Sequence, residues 1–226
     1  MTDDQGVEGL RQQFAALLPD HVDVADELLR RYAEPHRHYH GPRHLAAVLA
    51  RIDDFATSKH DLFTVRLAGW FHDAVYDIPT RELSNEEASA RLAIRTLGRC
   101  GLEQEELGEV ARLVRLTETH RPSGSDPNAE LLCDADLAIL GAAPDSYRDY
   151  VAKVRAEYGM VGDEDFDRGR LAVLQQFGGR TIFRTTKGRR LAEAAQRNLL
   201  TEALERIDRL GIRDQLDPTR WPLDVA

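Results

Sequence analysis

Apolar residues recur at spacings of three and four along nearly the whole chain, the period of an amphipathic helix. Val7, Leu10, Phe14 and Leu17, then Val24, Leu28 and Tyr32, mark two short helices over about 7–18 and 21–34, punctuated by Pro19 and Pro35. Gly41-Pro42 opens a third that runs to about Ser58, with proline at its first turn. The next, about Asp61 to Tyr76, contains the most apolar run of the chain, Leu67-Ala68-Gly69-Trp70-Phe71, and Pro79 helps to end it. Ser84-Asn85-Glu86-Glu87 has the form of a capping box and starts a helix that stops near Gly101. Further helices are predicted over 103–120, 129–140, 145–158, 164–177 and 188–210, with a polar Pro/Gly/Ser loop at 121–128. Strand-like alternation goes no further than Thr181–Thr185. The pattern predicts an all-α, compact multi-helix bundle forming one domain over 1–226: a motif-bearing region of about 28–141, completing helices over 144–210, and an irregular tail from 211 to 226.

Polar residues interrupt the apolar stripes at a few places. His72 shares a helical stripe with Val65, Ala68 and Gly69, so it points inward, and Asp73 follows it directly. His44 lies at the inner edge of the first turn of its helix, on the side of Val48, Ile52 and Phe55. Asp136 breaks a stripe of Leu132, Ala135, Ile139 and Leu140. Asp134, two residues earlier, lies on the other side of that helix and is either a residue behind the ligands or a solvent-facing one. Two imidazoles and two carboxylates brought into a helical core make a divalent metal site, because unpaired polar groups in a core are costly and a cation satisfies all four. Closed structural zinc sites favour cysteine, so this donor set points to an open, catalytic one.

Composition narrows the setting. With 42% apolar and 31% charged residues the chain reads as a soluble globular protein without a membrane span, and the acidic start Met1-Thr2-Asp3-Asp4 lacks a secretory signal, which places it in the cytoplasm. Cys100 and Cys133 are too few for a disulfide framework and read as reduced thiols. A formal charge of −9 gives no long-range attraction to nucleic acid or an anionic membrane, so stable binding to either is not expected and a phosphate-bearing ligand must be held locally. No Gly-rich phosphate loop occurs, which argues against a kinase or an NTP-driven motor.

The blocks Tyr39-His40-Gly41-Pro42-Arg43-His44-Leu45, His72-Asp73-Ala74-Val75-Tyr76-Asp77, Asn85-Glu86-Glu87-Ala88-Ser89-Ala90, Asp134-Ala135-Asp136-Leu137-Ala138-Ile139-Leu140-Gly141 and Ala195-Gln196-Arg197-Asn198-Leu199 resemble, in that order, the HD-domain superfamily, in the subgroup of predicted metal-dependent HD phosphohydrolases. The resemblance spans about residues 28 to 210. It implies an HD-type bundle in which His44, His72, Asp73 and Asp136 hold one divalent ion, with Mn, Mg, Fe, Ni, Co and Zn not distinguished; a second ion would need more histidines than the single one, His120, between the His-Asp pair and Asp136. Two readings stand for His120: it faces the substrate or a metal-bound water, or it is a helix-end histidine favoured by the dipole. Asp77 either orients the attacking water or caps a helix end, and Glu86 either reaches the site or answers the dipole of its own first turn.

The implied activity is cleavage of a phosphoester in a nucleotide or other small phosphorylated compound by a metal-activated water. The substrate anion needs cations, and Arg37, Arg43, Arg168, Arg180, Lys187 and Arg197 are candidates, of which one or two are expected to serve. Arg43 and Lys187 are placed on the substrate side with His40 and Glu86. Two other functions share the donor set, a regulatory protein that binds nucleotide or metal without cleaving, and a di-iron oxygenase on the same scaffold. An oligomer is compatible with the helical surface.

Overall fold

The computed structural model describes residues 2–80 and 82–212. Among them are ten α-helices, three short 3-10 turns and no strand, as the helical period predicts. Residues 213–226, most of the expected irregular tail, lie outside the described residues. The chain divides into two compact units, Met1–Asp136 and Leu137–Ala226. No helix among the described residues is long and apolar enough to cross a membrane.

The first unit comprises α1 (Thr2–Leu17), α2 (Val22–Tyr32), α3 (Pro42–Phe55), α4 (Leu62–Phe71), α5 (Asn85–Arg99), α6 (Gln104–Leu116) and α7 (Pro127–Asp136). Its axis is α4. Val65, Leu67, Ala68, Trp70 and Phe71 are wholly buried, so its C-terminal half is enclosed while Arg66 reaches the surface. It packs against α3, α5, α6 and α7. Asp61 caps its start, accepting from the Thr64 backbone N–H at 3.3 Å. The Asp61 N–H itself reaches Asn128 Oδ1 at 2.9 Å, which ties the start of α4 to α7. Phe14 of α1 meets Trp70 edge to face with ring centres 5.0 Å apart. Gly69 lets α3 approach, since a Cβ there would stand 2.8 Å from Ile52 Cδ1.

Several boundaries differ from the periodicity. The helix expected to reach Tyr76 ends at Phe71, because side chains from elsewhere take over the backbone beyond it. The helix expected to reach His120 ends at Leu116, where the Thr117 hydroxyl donates to Val114 O at 2.7 Å and competes with helix continuation. At Asp136 α7 tightens into a 3-10 turn over Leu137–Gly141, and the last helix begins only at Ala192, after a 3-10 turn over Gly188–Leu191. The stop near Gly101 holds: this residue has φ 86°, open to glycine, and the Leu102 N–H returns to Leu97 O at 3.3 Å. Residues 181–185 form no strand.

The second unit contains α8 (Pro144–Glu157), α9 (Asp163–Gly178) and α10 (Ala192–Leu210). Its interior is charged. Glu202 accepts from Arg170 Nε at 3.0 Å, from Arg206 Nε at 2.9 Å and from the Tyr147 hydroxyl at 2.5 Å. Arg206 also pairs with Asp167, which accepts from Arg209 Nε at 2.8 Å. Every member has a partner, the condition under which a buried ionic network is tolerated. Asn198 Nδ2 donates to Leu140 O at 2.8 Å and to Ala142 O at 2.9 Å, fixing the 3-10 turn on α10. Gly141 stands against Leu191 so closely that a Cβ would lie 2.6 Å from Leu191 Cβ and 2.8 Å from its carbonyl oxygen.

Two predictions follow from this packing. A backbone carbonyl cannot step aside as a methyl tip can, so Gly141→Ala is expected to cost about 1–3 kcal/mol of stability in urea titrations, and Gly69→Ala less; equal or reversed costs contradict the packing described. Burial alone would raise the Glu202 pKa, but Arg170, Tyr147 and Arg206 outweigh it and hold it below the usual carboxylate range, and Arg209 with Arg206 does the same for Asp167. A carboxylate depressed in the folded state contributes stability above its unfolded pKa and loses it as pH falls through the folded one. Glu202→Gln is therefore expected to cost about 3–5 kcal/mol at neutral pH, with the gap to wild type narrowing below about pH 4. A gap independent of pH in denaturant titrations would refute the depressed carboxylate.

Candidate metal centre

The site begins where α4 ends. Its last carbonyls and the residues beyond them are buried or half-buried and need donors. His72 Nδ1 donates to Gly69 O at 2.8 Å, the Tyr32 hydroxyl to Trp70 O at 3.2 Å, and the Ala74 N–H to Phe71 O at 3.1 Å. Arg37 donates to Asp73 O at 2.5 Å and Ala74 O at 3.3 Å. Ser89 Oγ accepts from the Val75 N–H at 2.9 Å and donates to Val75 O at 3.3 Å. His36 Nε2 reaches Tyr76 O at 2.7 Å, and the Asn85 side-chain amide pairs with both the N–H and C=O of Asp77, at 2.9 and 3.2 Å. Residues 72–77 are thus a non-helical segment satisfied by side chains from the 33–41 loop, from α2 and from the start of α5. Asn85 and Ser89, four apart, share the face of α5 that does this.

That segment carries His72 and Asp73 to the first turn of α3 and the end of α7. His44 Nε2 and His72 Nε2 stand 3.1 Å apart. Asp73 Oδ2 lies 3.4 Å from the first and 3.1 Å from the second, and Asp136 Oδ1 lies 3.2 and 3.6 Å from them. Because His72 Nδ1 carries the proton given to Gly69 O, its Nε2 presents a lone pair when the ring is neutral. Donors bound about 2.1 Å from a common ion lie roughly 3.0–3.4 Å from their neighbours, a spacing met by every pair above except His72 with Asp136, which is slightly wider. Asp73 Oδ2 is buried and has no hydrogen-bond partner, although two imidazole nitrogens approach it. An orphaned buried carboxylate oxygen flanked by two imidazoles fits a cation held between them. Among the described residues, the ligand atoms of His44, His72 and Asp136 all lie within 4.8 Å of one another, and Asp73 joins this set through its approach to the two imidazoles rather than to Asp136.

Electrostatics bind the cluster tightly. Burial would keep His44 neutral, but the carboxylates of Asp136 and Asp73 outweigh it and push its pKa up to about 10. His72 is raised in the same way, against burial, by Asp73 and Asp136. The reciprocal effect, again opposed by burial, holds Asp73 well below the usual carboxylate range through His72 and His44, and Asp136 below it through His72, His120 and His44. Two negative carboxylates in a core demand compensating positive charge, and protons on the imidazoles compete with a cation to provide it.

His120 joins the cluster in a place the sequence did not indicate. It follows α6 in a turn, and its Nε2 donates to Asp136 Oδ2 at 2.7 Å, so the two oxygens of Asp136 divide between His120 and the donor set. Its φ of 50° is the only positive value at a non-glycine position among the described residues, a backbone strain held at a residue whose side chain orients a ligand. His40 stacks on Tyr76 at 4.2 Å and meets His44 edge-on at 5.4 Å, beside the site. Glu86 is half-buried, and its pKa is raised by burial and by the charges of Asp73 and Glu118, so it feels the site's field. Asp77 is held through its backbone by Asn85. Arg43 is exposed on the first turn of α3.

Other candidates are placed differently. Arg37 is buried with its guanidinium on carbonyls and Glu34, which removes it from the phosphate-binding candidates. Arg168 pairs with Glu164 and Arg197 with Glu193 on exposed surfaces. Lys187 is exposed in the second unit, ahead of a 3-10 turn. Asp134 is completely buried, so the solvent-facing alternative is wrong. Tyr32, His36, Asn85 and Ser89 were not singled out; the polar pair on α5 was their one visible sign. A cavity of about 960 Å³ in the second unit, bordered by Tyr147, Val151, Phe166 and Asn198, contains none of the clustered histidines. No protein-family model, curated protein or solved structure matches this chain.

If His120 orients Asp136, His120→Ala and His120→Gly are both expected to weaken divalent-metal binding roughly 10–100-fold by calorimetry. Glycine relieves the left-handed backbone, so the Gly variant should be the more stable of the two by about 1 kcal/mol. Wild-type affinity in both variants would show that His120 has no part in holding the ligand set.

Proposed function

We propose that the first unit is a metal-dependent phosphohydrolase that cleaves a phosphoester of a nucleotide or another small phosphorylated compound. The observation that carries this reading is the meeting of His44, His72, Asp73 and Asp136, in which the two imidazole Nε2 atoms stand 3.1 Å apart and each carboxylate places an oxygen 3.1–3.6 Å from both of them. These four residues would hold one divalent cation. When bound, such a cation supplies Lewis acidity, drawing charge from phosphoryl oxygens and easing deprotonation of water.

The chain's own groups divide the remaining work. His120 keeps Asp136 turned toward the donor set. Glu86, raised by burial and by Asp73, is a carboxyl able to hold a proton at the edge of the site. Asp77, its backbone pinned by Asn85, is the carboxylate assigned to orienting the attacking water. His40 on its Tyr76 support offers an aromatic flank for the substrate, and Arg43 offers a guanidinium for its anionic part. Lys187, the other cation placed on the substrate side, lies in the second unit.

The test is a phosphate-release screen over nucleotides and sugar phosphates with Mn, Mg, Co, Ni and Zn supplied in turn. At least one substrate is expected to turn over, with His72→Ala slower by roughly a hundredfold or more. Metal binding without release of phosphate from any compound would sink the hydrolase reading, and bound, uncleaved nucleotide would turn it into a regulatory one.

A further inference from the structure

The structure assigns Arg37 a positioning role: its guanidinium fixes the carbonyl of Asp73 and thereby aims a carboxylate whose buried Oδ2 faces the His44 and His72 imidazoles. This inference rests on the metal reading of the site proposed above. The Arg37 side chain is wholly buried and lies between two rings, 5.4 Å from the centre of Tyr32 and 5.6 Å from that of Tyr76. Its Nη1 donates to Asp73 O at 2.5 Å and to His40 O at 3.4 Å, its Nη2 to Ala74 O at 3.3 Å, and its Nε to Glu34 Oε2 at 3.0 Å.

On the preceding peptide, the Asp73 N–H donates to the Tyr32 hydroxyl at 3.3 Å. Asp73 is therefore gripped at both its N–H and its C=O, while its Oδ2 has no hydrogen-bond partner. Backbone placement then sets where that oxygen stands relative to the two imidazoles that approach it. The contact to His40 O adds a second constraint, because residue 40 leads into the turn that carries His44, so one guanidinium spans two ligand-bearing segments.

An apolar side chain of similar volume would fill the same space but leave the Asp73 and Ala74 carbonyls without these donors. What the guanidinium supplies is a planar fork that meets adjacent carbonyls and stacks between rings, which the compact ammonium of lysine cannot reproduce.

The test uses the full chain and compares wild type, Arg37→Lys, Arg37→Gln and, as a control, Arg66→Ala, whose residue pairs with Asp53 on the surface. Mn²⁺ affinity is read by calorimetry, the Co²⁺ d–d absorption reports ligand geometry, and circular dichroism reports helix content. Both Arg37 variants are expected to keep their helices, bind Mn²⁺ roughly 10–100-fold more weakly and show an altered Co²⁺ band, with lysine the milder; Arg66→Ala should match wild type. A purely structural role would lower the melting temperature and leave affinity and the Co²⁺ band of the folded protein unchanged, which would overturn the inference. If Arg37→Gln does not fold, Arg37→Lys decides by the same readings. Failure of the wild type itself to bind either ion would overturn the metal reading and this inference together, whereas binding in the wild type with unchanged Arg37 variants would overturn this inference alone.

Discussion

The first unit depends on how the enclosed C-terminal end of α4 is satisfied. Apolar packing around Leu67–Phe71 draws the C-terminus of α4 into the interior, where carbonyls cannot turn to water. A surface helix would leave those groups to solvent. Here Tyr32, His36, Arg37, Asn85 and Ser89 supply the partners, and in doing so they fix a six-residue path that no regular structure dictates. The hydrophobic core and the placement of His72 and Asp73 are thus one problem with one solution.

The same enclosure raises the electrostatic stakes. Asp73 and Asp136 remain charged in a buried place only because His44, His72 and His120 surround them, and each group shifts its neighbours' proton affinity. The second unit meets a comparable problem differently. Glu202 and Asp167 are answered by permanent arginine cations, which leave no oxygen for an added ion. Imidazoles can give up their protons to a competing cation and guanidiniums cannot, which separates a cluster suited to ligand exchange from one suited to holding helices together.

Much of this was legible in the sequence. Helical periodicity marks each long helix among the described residues, and inward-facing stripes select His44, His72 and Asp136, because side-chain direction on a helix follows from spacing alone. The ends were harder. Apolar spacing continues through Ala74 and Tyr76, yet the helix stops at Phe71, since Arg37 and Ser89 compete for backbone groups from positions far along the chain. His120 looked like the end of a helix, whereas its left-handed backbone turns it onto Asp136. Arg37 read as a surface cation for phosphate, because nothing local reveals that a charged residue is buried between two rings.

The side-chain partners of residues 72–77 address successive peptide groups rather than side chains, and this has a consequence for how the segment can vary. Val75 is held through its backbone N–H and C=O, so its own side chain is comparatively free to change. Loss or gain of one residue, by contrast, would slide each peptide group away from the donor built for it and carry Asp73 with it. The segment is a measured length of chain, constrained in its count of residues more than in their identity.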